Sequence, residues 1–359
     1  MSVDLKQPPS ADPSSIPLSH AKLPTWAHLL VGAVSLAVSG LLTMILGWGL
    51  VALVIVAMLV FLVSLPAWSL AVENRRAAVD RLVTGLIWTA FLVACVPLVW
   101  LLFTVIKNGL PTVLHAFPAF LTYDMRNVIG DDQGGLYHAI IGTLLVTLAA
   151  TVISVPLGLF AAIYLVEYGK KNRIARVITF LVDVMTGIPS IVAGLFALSL
   201  FTLLFGPAIR IGFGGSVALS LLMVPTVVRS AEEMLRLVPD DLREAALALG
   251  VPKWRTITKM VLPTAVAGIV TGVVLAISRV IGETAPLLVV AGFADSVNFD
   301  LTTGRMLTLP VFIFTQYATA TPKGTDYAWG GALVLIVIVM LLNLVARLIG
   351  KFFAPPKAR

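Results

Sequence analysis

Eight stretches of this chain are each apolar for long enough, about 20 residues as helix, to approach or cross the roughly 30 Å hydrocarbon core of a bilayer. They run over 26–47, 50–72, 83–106, 138–166, 177–205, 214–228, 262–291 and 328–350. Backbone in lipid must satisfy its own hydrogen bonds, so runs of this kind dictate helices and exclude an open sheet. The expected fold class is therefore all-α, a polytopic membrane protein of about eight transmembrane helices. Composition agrees, with 59% hydrophobic and 12% charged residues and a mean hydropathy of +1.01. Soluble domains carry about 25% charged residues.

The net charge of +7 is a matter of topology. With a cytoplasmic N-terminus, nineteen of the 25 Lys and Arg fall on the inner side and five, Lys107, Arg126, Arg210, Arg305 and Lys323, on the outer side, leaving Arg279 within a span. This asymmetry follows the positive-inside rule and places both termini in the cytoplasm. It also accounts for the basic balance without any nucleic acid partner; the medium the chain contacts is the lipid bilayer.

Residues 1–25, rich in Pro and Ser, lack an apolar periodicity and read as a disordered cytoplasmic tail. Spans one and two, 26–72, form a hairpin ahead of a six-helix body at 83–350, and 351–359 form a second cytoplasmic tail. The outer segments 108–137 and 293–327 are long and aromatic, and read equally well as re-entrant structure or as wet loops. Cys95, the single cysteine, lies in an apolar run and reads as a small core residue.

The inner segment 229–261 is the longest polar interruption between spans. Asp241 with Glu244 has capping-box spacing and predicts a helix start, with Leu242, Ala245, Ala246 and Leu249 on one small apolar face. Gly250 sits where a helix ends left-handed, and Pro252 suits the first turn of a second short helix over 252–260. Arg243, Lys253, Arg255 and Lys259 would offer charge to a partner's acidic rim. By capping alone, the same pattern fits a surface helix hairpin of any function.

Together, Glu244-Ala245-Ala246, Gly250 and Leu262-Pro263 resemble the Glu-Ala-Ala loop of ATP-binding-cassette (ABC) import permeases, with Met260 where that pattern has Ile. Three further stretches make the chain similar to the A-type permeases of phosphate-specific transport (PstA). They are Gly134 to Thr143, Gly187-Ile188-Pro189-Ser190, and Ser278-Arg279-Val280-Ile281-Gly282-Glu283-Thr284-Ala285-Pro286-Leu287. The likeness runs from about residue 83 to the C-terminus and leaves the first two spans without a role. It implies a six-helix, type I importer core (MetI-like) in the inner membrane. It also implies a second, C-type (PstC-like) permease, a dimer of PstB-like ATPase subunits docking on the 240–260 loop, and a PstS-like phosphate-binding protein. ATP and Mg would be used by the ATPase, with no cofactor or metal bound by this chain. That division of labour fits a sequence with no phosphate-binding Gly-x4-Gly-Lys-Ser/Thr loop.

Ionisable residues inside spans are costly and functional as a rule. Arg279 and Glu283 stand four apart, which predicts one helix face near mid-span, as a structural ion pair or as part of a water-filled path. Under the resemblance they line a phosphate path, because a guanidinium presents a planar donor fork to oxyanions. Asp183 reads as a helix-end acid near the inner surface, and Gly187, Pro189 and Ser190 as a break in the fifth span that packs or contacts the path. His115 and His138 lack metal-ligand spacing. A permease for another oxyanion or small solute, an ion-coupled transporter, an intramembrane enzyme and a non-transporting scaffold are the competing readings.

Overall fold

The computed structural model describes residues 22–130, 132–169, 172–207 and 209–353. Most of the expected N-terminal tail, and 354–359 of the C-terminal one, lie outside the described residues. The described residues form helices joined by turns and loops: α1 (Ala27–Leu46), α2 (Leu50–Val72), α3 (Arg75–His115), α4 (Ala119–Thr122), α5 (Tyr137–Ile163), α6 (Arg173–Thr186), α7 (Ser190–Phe205), α8 (Gly212–Arg236), α9 (Asp240–Ala248), α10 (Lys253–Thr256), α11 (Leu262–Val280), α12 (Ala285–Val290), α13 (Leu309–Ala318) and α14 (Pro322–Phe353). One π-helical turn, Tyr164–Tyr168, prolongs α5; another, Ile257–Val261, fuses α10 to α11. Seven helices are long and apolar enough to cross a membrane, or eight if the bent pair α6–α7 counts as one span.

Two compact units divide within α3, at Leu102/Phe103. In the first, Ala27, Val31, Ser35, Ser39 and Thr43 recur every four residues as the buried stripe of α1. Ser39 Oγ donates to Leu53 O of α2 at 2.5 Å, and Gly47, at φ +67°, turns the chain between the two helices. Glu73 ties the first unit's polar end, accepting from Leu23 N (2.7 Å), Ser69 Oγ (2.6 Å) and Arg81 (2.8 and 3.0 Å). The Arg81 guanidinium is the largest reason its carboxyl is held down at about 2.

The second unit is built around α8, the most enclosed of the long apolar helices. Its small residues let neighbours approach closely, which is how helices associate where burying apolar surface gains little. A Cβ on Gly158 of α5 would come within 2.6 Å of Val227, and one on Gly272 of α11 within 2.5 Å of Ser230. The core joins Val146 and Ala150 of α5, Leu219 and Met223 of α8, Ala276 and Val280 of α11, and Phe312 of α13.

Four expected spans differ from the observed ones. The third, expected over 83–106, is the 41-residue α3. The fifth is two helices meeting at 111° across Gly187–Pro189, a corner rather than a kink. The sixth is longer than expected: α8 runs on through Arg229, Glu232 and Arg236, with Glu232 paired to both arginines, so the polar segment starting at 229 is helical for its first eight residues. The seventh stops at Val280; residues 281–284 break it before α12. In the outer segment 293–327, α13 buries Leu309 to Phe312, and Thr143 Oγ1 of α5 accepts from Leu309 N at 2.7 Å.

Candidate functional site

The motif-bearing segment is a short helix hung on the ends of three long ones. Pro239 precedes α9 as its N-cap, with Asp240 and Asp241 in the first turn, and no side chain caps it. The expected Asp241–Glu244 capping box is therefore absent. The carboxylates act instead on the positive end of the helix dipole. At the other end Gly250 has φ +74°, with Val251 N donating to Ala246 O (3.1 Å) and Gly250 N to Leu247 O (3.0 Å). This is the Schellman arrangement, and only glycine adopts its left-handed residue without cost.

After Gly250 the expected second short helix is not separate. Pro252 caps α10, which continues through the π turn into α11, so Lys253–Val280 is one helix of 28 residues. The turn after α9 thus leads directly into a helix that packs in the core.

Arg243 is turned inward, not offered outward. It donates to Glu167 Oε1 (2.9 Å) at the end of α5, to Leu235 O (2.8 Å) and Val238 O (2.6 Å) at the end of α8, and to Asp240 Oδ1 (3.0 Å). Its side chain is 13% exposed and that of Glu167 6%. Lys253 is also engaged, donating to Glu167 O and lying 4.7 Å from the Tyr168 ring centroid. Arg255 stacks against Trp254 at 5.2 Å, and Trp254 is exposed. Beside this latch, the buried Glu232 binds Arg229 (2.8 Å) and Arg236 (2.5 Å), and Arg229 reaches Asp183 of α6. Asp183 therefore joins α6 to α8.

The surface left open on α9 consists of Asp240, Asp241, Leu242, Glu244, Ala245, Leu247 and Ala248, continued by Leu249 and Gly250 and, after the turn, by Trp254. Ala246 is enclosed at 2% exposure, and the half-buried Leu262 packs against the cluster that contains Val166, Leu235 and Val238, so these two face the protein interior. Pro263 is exposed in the first turn of α11 and Met260 is half-buried.

Arg279 and Glu283 do not form the expected pair. Glu283 lies in the break, its N–H bonded to Val280 O at 3.1 Å, and neither side chain has an ion-pair partner among the described residues. Arg279 is exposed on α11, whose other exposed residues are Pro263, Thr264, Thr271 and Leu275. The contacts of Gly268 with Met234 and of Gly272 with Ser230 set α11 antiparallel to α8. The same register puts Arg279 opposite Met223, about 20 Å along α8 from Arg236 and about 16 Å from Gly212. Next to it, Ser278 Oγ donates to Asn343 Oδ1 of α14 at 2.9 Å. Pro286 after the break packs on Gly194 of α7, where a Cβ would come within 2.6 Å of its Cα. His138 is a core residue, edge-on to Phe312 with ring centroids 5.7 Å apart.

Glu167, Glu232 and the inward role of Arg243 escaped the sequence reading. A Glu at the tail of a long apolar run was their only signal.

Residues 154–358 match the family of binding-protein-dependent transport system inner membrane components. The phosphate transport system permease protein PstA 1 of Mycobacterium tuberculosis is 48% identical over 286 residues, covering 79% of this chain and 91% of that protein. The PstA of Yersinia pestis is 42% identical over 281 residues, covering 77% and 90%. Among solved structures, an inward-facing MetNI methionine ABC transporter chain aligns with a TM-score of 0.50 at 18% identity, covering 62% of this chain and 95% of that one, which is a likeness of fold. On the family match and these identities, the chain belongs to the binding-protein-dependent transport system inner membrane components, alongside the PstA permease proteins.

Proposed function

We propose that this chain forms half of the membrane path of an ATP-driven importer of inorganic phosphate and is moved by a separate ATPase through α9. The permease role rests on the family, and the substrate on relatives that carry phosphate transport in their names. The observation that carries the path reading is the exposed, unpaired Arg279 near mid-depth on an apolar helix. A guanidinium at that depth requires a water-filled route or an anion beside it. Phosphate supplies oxygens that match its donor fork. Glu283, in the helix break beside Gly282 and four residues on from Arg279, would compete for Arg279 and keep anion binding weak.

In this reading the path is completed by a C-type permease, the open face of α9 sits in a groove of one ATPase of a dimer that consumes ATP and Mg, and a phosphate-binding protein delivers substrate on the opposite side. Both termini and α9 then lie in the cytoplasm, in keeping with the Lys and Arg distribution. The test is phosphate uptake by the assembled complex carrying Arg279→Gln. Uptake should fall at least tenfold while basal ATP hydrolysis persists. Unchanged uptake with normal coupling would remove Arg279 from the path.

A further inference from the structure

The helices of the first unit flank a half-open cavity of about 1030 Å³ between α1, α2 and the first part of α3, with Leu36, Val54 and Leu92 of its walls exposed. Its body is apolar, lined by Leu36, Val54, Phe61 and Leu92, whereas one end carries Lys22, His28, Asn74 and the Glu73–Arg81 pair. That polar end coincides with the α2–α3 junction, where the apolar run of α2 has stopped at Val72. From Arg81 to Leu92 the cavity follows α3 for eleven residues, about 16 Å of helix. One leaflet of the hydrocarbon core is about 15 Å deep.

A space of this size holds the volume of about thirty waters, and its apolar walls give water too few partners. Lys22 and Arg81 line this end with Glu73 and Asp80, Arg75 and Arg76 follow Asn74 in the chain, and Lys22, Arg75 and Arg76 have no ion-pair partner among the described residues. Within the cavity Ser35 is 2% exposed, and its buried Oγ has no hydrogen-bond partner.

We propose that this cavity is a binding site for one anionic phospholipid, with the headgroup phosphate at Lys22 and Asn74 and an acyl chain lying between α1, α2 and α3. Polar mouth, apolar body and one-leaflet depth match the shape of a single lipid. Such a lipid gives the N-terminal helix pair a role: it seats the hairpin in the inner leaflet of a charged membrane.

The experiment is native mass spectrometry of the assembled transporter purified in mild detergent. Gly32 lines the cavity with open space beyond its Cα, so Gly32→Phe fills the cavity from a helical position without a clash. Wild type should retain one anionic phospholipid per copy of this chain, and Gly32→Phe should lose it while the assembly's melting temperature shows it folded. Lys22→Glu should keep a lipid but lose preference for anionic over zwitterionic headgroups at least fivefold. Equal retention by Gly32→Phe and wild type, absence of any retained lipid in wild type, or loss of a protein helix in place of a lipid would each overturn the proposal. None of these readouts depends on which solute is transported.

Discussion

Gly250 is the residue on which the motif turns, and its cost is conformational alone. Nothing lies within 4 Å of the position a Cβ would take, yet φ is +74°. Gly250→Ala should destabilise the end of α9 by about 1 kcal/mol, because a Cβ in the left-handed region costs about 1–2 kcal/mol. Faster amide exchange at 247–251, with exchange in α8 unchanged, is the expected signature. A pH effect belongs at Asp300, whose carboxylate accepts from Thr302 and Thr303 and whose pKa is lowered from 3.8 to about 2, chiefly by the Thr302 hydroxyl. A depressed pKa means the turn keeps this stabilisation above pH 3.8 and loses it as pH falls through about 2. Amide protection at Thr302 should therefore be flat from neutral pH to about 4 and drop below it. The left-handed Gly250 was legible in sequence because glycine before Val-Pro has one common use. Arg243 was not, since a basic residue on a short polar helix gives no sign of facing a Glu 76 positions earlier.

At the scale of elements, α9 is held by its latch more than by its own length, since nine residues make a marginal helix. Arg243→Ala leaves the buried Glu167 unpaired and should cost on the order of 3–5 kcal/mol. The loss should show as a lower melting temperature of the purified assembly and as ATP hydrolysis uncoupled from transport. Glu167→Gln, which retains an acceptor for Arg243, should lose less. The contact between α11 and α8 gives a second check: Gly272→Leu drives a side chain into Ser230 and should cost about 1–3 kcal/mol as an overpacked core does. Apolar run length identified most of the long helices, because hydrocarbon thickness sets it. It could not separate α6 from α7 or end α11 at Val280. Both breaks, at Gly187–Pro189 and at 281–284, lie inside continuous apolar sequence, and tertiary contacts such as Gly194 on Pro286 stabilise them.

At the scale of the whole molecule, α9 lies by the C-terminal end of α8 and the 291–308 segment by its N-terminal end. The proposed orientation puts Trp254 and Lys22 on the same side and Arg305 on the opposite side. In a Cys95→Ser background, single cysteines at 254 and 22 should react with an impermeant thiol reagent only after the membrane is opened, and one at 305 in intact cells. The all-α class, the basic asymmetry and the position of the coupling motif were readable because each follows from the bilayer as solvent. The partner surfaces were not, since under the proposed function Arg279 and the open face of α9 would find their partners outside this chain. The most direct measurement is uptake of radiolabelled phosphate at micromolar concentration by cells lacking this chain, with wild type or Gly250→Asp restored at matched membrane levels. Wild type should restore uptake and Gly250→Asp should not, although it assembles. Equal uptake with and without the chain, in cells stripped of other phosphate importers, would contradict a phosphate permease driven through α9.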